Sequence, residues 1–110
     1  MPYNIYNKTV KVGKMNEENM IMALKIKKLN VFTALYKLLI YLYIGVERQK
    51  ELRYLLGSGS YYNAVMKAAR QGYVVVREDG SVVLTEKGRR IADILYTAAT
   101  QLLRETEKER

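Results

Sequence analysis

VVVREDGSVVLTEKGRR, residues 74–90, joins two valine-rich runs through an Asp-Gly pair and passes at once into a basic segment. Val74 to Val76 and Val82 to Leu84 are rich in β-branched residues, which suit a half-buried pleated surface. Asp79-Gly80 lies between them and supplies the positive φ that a type I′ turn needs at both central positions. The spacing predicts a β-hairpin with a charged tip. Thr85 then breaks the strand pattern and is placed to cap a helix, with Glu86 at that helix's positive end. An isolated hairpin is marginal in water, so it must rest on the chain that precedes it.

Working backwards from the hairpin, YYNAVMKAARQ at residues 61–71 predicts a helix closed by Gly72, with SGS at 58–60 as a tight turn and Ser60 as its cap. Within that helix Tyr61, Val65 and Ala68 recur at i, i+4 and i+7 and mark its core face, flanked by Ala64 and Ala69. A shorter helix is expected over 47–56, with Gly57 as terminator. VFTALYKLLIYLYIGV at 31–46 predicts a helix over 31–44, in which Val31, Leu35, Leu38, Leu39, Leu42 and Tyr43 cover most of the circumference, as in a central buried helix. Gly45 ends it. Asn16, Glu17 and Glu18 open a helix over 17–29, and residues 1–14 read as a short strand or a basic arm. After the hairpin a last helix runs from 86 to about 104, striped with Ile91, Ile94, Leu95, Ala98 and Leu102, and ETEKER reads as a frayed, solvated end.

The chain has 110 residues, enough for one domain with one modest core. It holds neither cysteine nor histidine. Disulfides, thiolate metal sites and the Ser-His-Asp and Cys-His catalytic sets are therefore excluded, and no catalytic residue, metal or cofactor is expected. The longest apolar run is shorter than the roughly 20 residues of a membrane span and is interrupted by Lys37, so a soluble, cytoplasmic protein is expected. A composition rich in Lys, Glu, Ile and Tyr and free of cysteine fits a thermophile.

The net charge is +8 and the isoelectric point about 9.7, which predisposes the chain to polyanions. Residues 1–30 carry six cations against two anions, residues 31–73 again six against two, and residues 91–110 three against four. The positive excess thus precedes the last helix.

The segment ELRYLLGSGSYYNAVMKAARQGYVVVREDGSVVLTEKGRRIA, residues 51–92, resembles the winged helix-turn-helix of small DNA-binding regulators of the multiple-antibiotic-resistance type and their archaeal and viral relatives. NAVMKAARQGYV is similar to the end of a recognition helix and the entry to a wing, and VVLTEKGRR to the last wing strand and the helix after it. The helix expected at 31–44 belongs to the resemblance, whereas residues 1–30 lie outside it. The fold class it implies is mainly α with a small β-hairpin: a winged helix-turn-helix over 31–90, a basic arm and helix over 1–30, and a C-terminal dimerisation helix and tail over 91–110.

The resemblance implies binding of double-stranded DNA by a homodimer, with the recognition helix over 60–71 in the major groove, the wing over 74–84 on the backbone or minor groove, and transcriptional regulation as the outcome. The polar face of the recognition helix offers Tyr62, Asn63, Met66, Lys67 and Arg70; Asn63 suits adenine, and the two cations suit guanine or phosphate. Ser58 and Ser60 suit phosphates. Arg77 at the wing, Lys87 and Arg89 on the last helix, and Arg48, Lys50 and Arg53 on the preceding helix are further candidates for DNA contact. Met20, Ile21 and Leu24 with Ile91, Ile94, Leu95, Ala98 and Leu102 are the expected dimer contacts. Tyr36, Tyr41 and Tyr43 are read as core or interface residues. The rival reading is a winged helix that serves as a protein-interaction module, and the two separate on whether Lys67 and Arg70 pair with acids of their own chain.

Overall fold

A computed structural model of the protein describes residues 17–108. The strand or arm expected over 1–14 and the cap expected at Asn16 lie outside these residues. Five helices and one two-stranded antiparallel sheet follow in the order α1 (Glu17–Lys27), α2 (Ala34–Tyr43), α3 (Gln49–Leu56), α4 (Ser58–Arg70), β1 (Val74–Val76), β2 (Val82–Leu84) and α5 (Glu86–Lys108).

The centre is α2, which touches α1, α3, α4, α5 and β2. Five consecutive residues, Leu38 to Leu42, are buried, so this helix is covered all round. It begins at Ala34 rather than at 31. Thr33 accepts the Tyr36 N–H on its Oγ1 at 3.2 Å and its carbonyl takes the Lys37 N–H at 2.9 Å, which fixes the first turn. Val31, expected on the helix, precedes the cap and is 67% exposed. At the end of α1, the bonds Lys28 N to Lys25 O and Leu29 N to Ile26 O tighten the chain into a three-residue turn, so the α-helix stops at Lys27 instead of 29.

Tyr41 is fully buried, and its hydroxyl has no hydrogen-bond partner among the described residues. Burial pushes its phenol far up. A buried hydroxyl without a partner costs roughly 1–3 kcal/mol of desolvation. Tyr41→Phe keeps the ring and removes that cost. The variant is expected to be more stable by about 1 kcal/mol, visible as a melting temperature raised by several degrees in a thermal scan.

Gly57, at φ +87°, closes α3 through its N–H on Arg53 O at 2.7 Å and opens α4 by accepting the Tyr61 N–H at 2.8 Å. One residue with left-handed backbone redirects the chain, a conformation that glycine adopts without strain. The tight turn expected at 58–60 is therefore the first turn of α4, and Ser60 is a helical residue rather than a cap. Tyr61, Ala64, Val65 and Ala68 face the core, while Ala69 is exposed.

The strands fall at the expected residues, in the register Val74 to Leu84, Val75 to Val83 and Val76 to Val82. The turn differs from the type I′ expectation, because Asp79 has negative φ and only Gly80, at φ +88°, is left-handed. Gly80 N donates to Arg77 O at 2.9 Å and Arg77 N to Ser81 O at 2.8 Å, which defines a three-residue loop: an ordinary turn through Glu78 and Asp79, then a left-handed glycine. Asp79 Oδ1 accepts the Ser81 N–H at 2.9 Å and fixes the loop from within. Gln49 Nε2, at the start of α3, donates to Gly80 O at 2.6 Å and ties the tip to the helical layer.

Thr85 caps α5 as expected: its Oγ1 accepts the Gly88 N–H at 3.0 Å and its carbonyl the Arg89 N–H at 2.8 Å. The same hydroxyl donates to Gly72 O at 2.6 Å, and Thr85 N donates to Tyr73 O at 2.9 Å. The two ends of the hairpin are thus sewn together where α5 starts. α5 lies against α2, and its buried residues are small: Gly88, which abuts the Tyr73 backbone, Ala92 and Ala99. It continues to Lys108 instead of fraying after 104, and Lys25 on α1 meets Glu107 at 3.1 Å. One buried cluster takes in Ala23 and Ile26 of α1 together with Ala92 and Ala99 of α5. α1 and α5 thus contribute side chains to the same core as α2, α3 and α4.

Candidate nucleic-acid interface

The core face of α4 determines what its other side presents. At 100° per residue, Gly59, Asn63, Met66 and Arg70 point directly away from the buried face. Tyr62 and Ala69 lie on one flank, and Ser60, Lys67 and Gln71 on the other. All are exposed, Tyr62 to 63% and Met66 to 42%. No acid occurs between Ser58 and Gly72. Among the described residues, the side chains of Asn63, Lys67 and Arg70 make neither a hydrogen bond nor an ion pair; the salt bridges lie elsewhere, at Lys25–Glu107, Arg90–Glu86 and Lys108–Glu105. Lys67 and Arg70 thus have no acid partner among these residues.

A groove of about 670 Å³ runs between the start of α2 and the Lys67 flank of α4, lined by Thr33, Tyr36, Ser60, Asn63, Lys67 and Gln71 among others. Tyr36 is 41% exposed and stands in this wall. Tyr41 packs inside, whereas Tyr43 is half-buried: it stacks at a tilt on Tyr96, 5.5 Å between ring centres, and donates to Oδ1 of the exposed Asp93 at 2.7 Å.

The remaining candidates divide. Ser58 and Ser60 lie exposed in the first turn of α4, Ser60 on the Lys67 flank and Ser58 on the opposite side, toward the core face. Arg77 is exposed at the hairpin tip and forms no ion pair with Glu78 or Asp79. Arg48 and Lys50 line a smaller cavity of about 300 Å³ with Met20, Glu51 and Tyr54, and both are exposed. Arg53 lies over the Tyr61 ring, 5.8 Å from its centre, and so braces α3 on α4. Lys87 donates to Gln71 O at 3.0 Å and sits over the Tyr73 ring, which engages it at the carboxyl end of α4. Arg89 lies over the Tyr43 ring at 5.9 Å, on the side of α5 that meets α2. The expected dimer stripe splits as well. Ile21, Leu24, Ile94, Ala98 and Leu102 are exposed, Ile94 to 64%, whereas Met20, Ile91 and Leu95 are half-buried.

The electrostatics of the site leave neutral pH undisturbed. Hydrogen bonds from Ser81, and to a lesser extent the Arg77 charge, hold the Asp79 carboxyl below its usual 3.8. Burial raises Tyr61, and the bond to Asp93 followed by burial raises Tyr43, both from 10.0. A depressed acid contributes stability that is lost as pH falls through its folded value, and a raised phenol contributes stability that is lost as pH rises through its folded value. The melting temperature is expected to stay level from about pH 6 to 8 and to fall below about pH 4 and above about pH 10. A calorimetric series in pH checks this.

Among the described residues no three His, Cys, Asp or Glu side chains are grouped to hold a metal ion, and no helix is long and apolar enough to cross a membrane. No protein family, characterised protein or solved structure matches the chain.

Proposed function

We propose that this is a winged-helix protein that binds double-stranded DNA as a homodimer and regulates transcription inside the cell. The observation that carries the reading is the outer face of α4: an acid-free helix with an amide and two cations that have no partner among the described residues. Nucleic acid is the polyanion such a face suits, and a helix of this length fits the B-DNA major groove. In this reading α2, α3 and α4 form the helical part and β1–β2 is the wing, its tip braced by Gln49 and offering Arg77 to the backbone or minor groove. Asn63, Met66 and Arg70 face base edges. Ser58, Ser60, Arg48 and Lys50 lie where phosphates pass, and Lys87 and Arg89, exposed although each also lies over a tyrosine ring, are further candidates for phosphate contact.

The dimer contact is the apolar stripe Ile94, Ala98 and Leu102 on α5, with Ile21 and Leu24 of α1. Pairing two copies sets two recognition helices about 34 Å apart and calls for a pseudo-palindromic site. The double variant Ile94→Glu/Leu102→Glu is expected to stay folded and to sediment as a monomer where the wild type sediments as a dimer. The reading as a whole is tested by titrating fluorescent duplex DNA with the protein at about 50 mM salt. Saturable binding is expected; its absence at tens of micromolar protein overturns it.

A protein-interaction module is the second reading. It is favoured by Tyr62 and Met66, an exposed apolar pair one helical turn apart on α4, and by Glu78 and Asp79 at the hairpin tip, which repel a phosphate backbone.

A further inference from the structure

Resting on the DNA-binding reading, we infer that the groove between the start of α2 and the flank of α4 seats one sugar–phosphate strand, held by Tyr36, Ser60 and Lys67. The wall is concave and about 670 Å³ in volume, and none of its lining residues is acidic. Its free polar groups are mainly donors: the Tyr36 and Ser60 hydroxyls, the Lys67 ammonium and the Gln71 amide. The Thr33 hydroxyl accepts from Tyr36 N and keeps its O–H to donate to an anion. Lys67 has no ion pair or hydrogen bond among the described residues, and it projects from the flank of α4 that faces this wall rather than from the outermost stripe.

The consequence is a division of labour on one helix. Asn63, Met66 and Arg70 point straight out, where base edges lie when a helix enters the major groove. Lys67 and Ser60, one flank over, meet the phosphates of the strand that borders the groove, and Tyr36 on α2 closes on the same strand from the other side. Phosphate contacts fix position and carry no sequence information, whereas base contacts discriminate. Lys67 then belongs with affinity and salt dependence, and Asn63 with specificity. Tyr36 joins the surface from a helix whose neighbouring tyrosine, Tyr41, is buried.

The experiment compares wild type, Lys67→Met, Tyr36→Phe and Asn63→Ala, each confirmed as folded by its thermal melt. Each is titrated at several salt concentrations with two duplexes of about 20 base pairs, one selected by the wild type from a random pool and one scrambled. Lys67→Met is expected to weaken both duplexes by a similar factor, about tenfold, and to flatten the slope of log affinity against log salt by about 0.9 for each phosphate no longer neutralised. Tyr36→Phe is expected to weaken both duplexes about fivefold and leave the slope unchanged. Asn63→Ala is expected to weaken the selected duplex alone. A wild type that binds, with Lys67→Met leaving the slope unaltered or affecting only the selected duplex, overturns the inference and leaves DNA binding standing. A wild type that binds no duplex overturns both.

Discussion

Gly88→Ala is expected to lose a large part of the protein's stability and to unfold at a much lower denaturant concentration than the wild type. The cause is contact between main chains. Gly88 is buried in the first turn of α5, and a methyl group on it overlaps the carbonyl of Tyr73 at the hairpin entrance. That carbonyl is not free to move, because it accepts the Thr85 N–H at 2.9 Å, and Tyr73 N in turn donates to Ala68 O at 2.8 Å. Relief requires α5 to lift from the hairpin, and the Thr85 cap and the packing of Ala92 and Ala99 are strained together. Overpacking into a site that can adjust costs about 1–3 kcal/mol, and this site cannot adjust, so a loss of at least about 3 kcal/mol is expected. Alanine's better helix propensity returns only about 1 kcal/mol. Against a total stability of about 5–15 kcal/mol this is a large fraction. Gly59→Ala is the matched control. Gly59 is also helical and has no atom within 4 Å of an added Cβ, so the same substitution there is expected to stabilise by up to about 1 kcal/mol. Denaturant titrations of the two variants read opposite signs; equal melts would mean that α5 does not approach Tyr73 closely.

The second large effect concerns binding. Asn63→Ala/Lys67→Ala is expected to lower affinity for a preferred duplex by about a hundredfold or more, since each good base or charged contact is worth about 1–3 kcal/mol and the two act on different parts of the DNA. In the proposed homodimer every contact occurs twice, which deepens the expected loss. The wild type itself is expected to lose affinity by orders of magnitude between about 50 and 200 mM salt, because a surface that neutralises several phosphates releases as many counterions. With no histidine in the chain, the same titration is expected to change little between about pH 6 and 8. Fluorescence anisotropy at two salts and three pH values reads all of this. Affinity that is insensitive to salt would point instead to the protein-interaction reading.

Local chemistry makes the strands and most helices legible in the sequence. The valine runs, the Asp-Gly pair and Thr85 carry their signals within a few residues, and the strands and the α5 cap lie where those signals put them. The turn type is not legible. An Asp-Gly pair serves both a type I′ turn and a three-residue loop with a left-handed glycine, and the Asp79 bond to Ser81 N belongs to the second. Apolar periodicity misplaces the start of α2 because it runs through Val31, whereas the boundary is set by a single hydroxyl on Thr33. Gly57 is readable as a terminator, yet not as the start of the next helix, since nothing in SGS reports that one left-handed residue completes the turn.

Long-range packing accounts for the rest. The segment from Glu105 to Lys108 is solvated, as its composition suggests, but it stays helical, and Lys25, far away in sequence, meets Glu107 in an exposed pair. On α5, large apolar residues suggest one stripe, but burial follows Gly88, Ala92 and Ala99, whose small size lets α5 approach its neighbours, while Ile94 and Leu102 are left outside. The polar face of α4 is legible from periodicity alone. The groove beside it is not, because it joins Tyr36 and Lys67 from two helices whose adjacency no local pattern encodes. The same holds for the bond from Lys87 to Gln71 O, which joins α5 to the end of α4.

The most direct measurement is a titration of the isotopically labelled protein with duplex DNA, followed by backbone amide NMR shifts residue by residue. The account predicts changes concentrated on the outer face of α4 from Gly59 to Gln71, at the hairpin tip from Arg77 to Ser81, and at the start of α2 from Thr33 to Tyr36, with the Ile94–Leu102 stripe of α5 unaffected. Saturating DNA that shifts other surfaces and leaves α4 untouched, or shifts nothing, would contradict it.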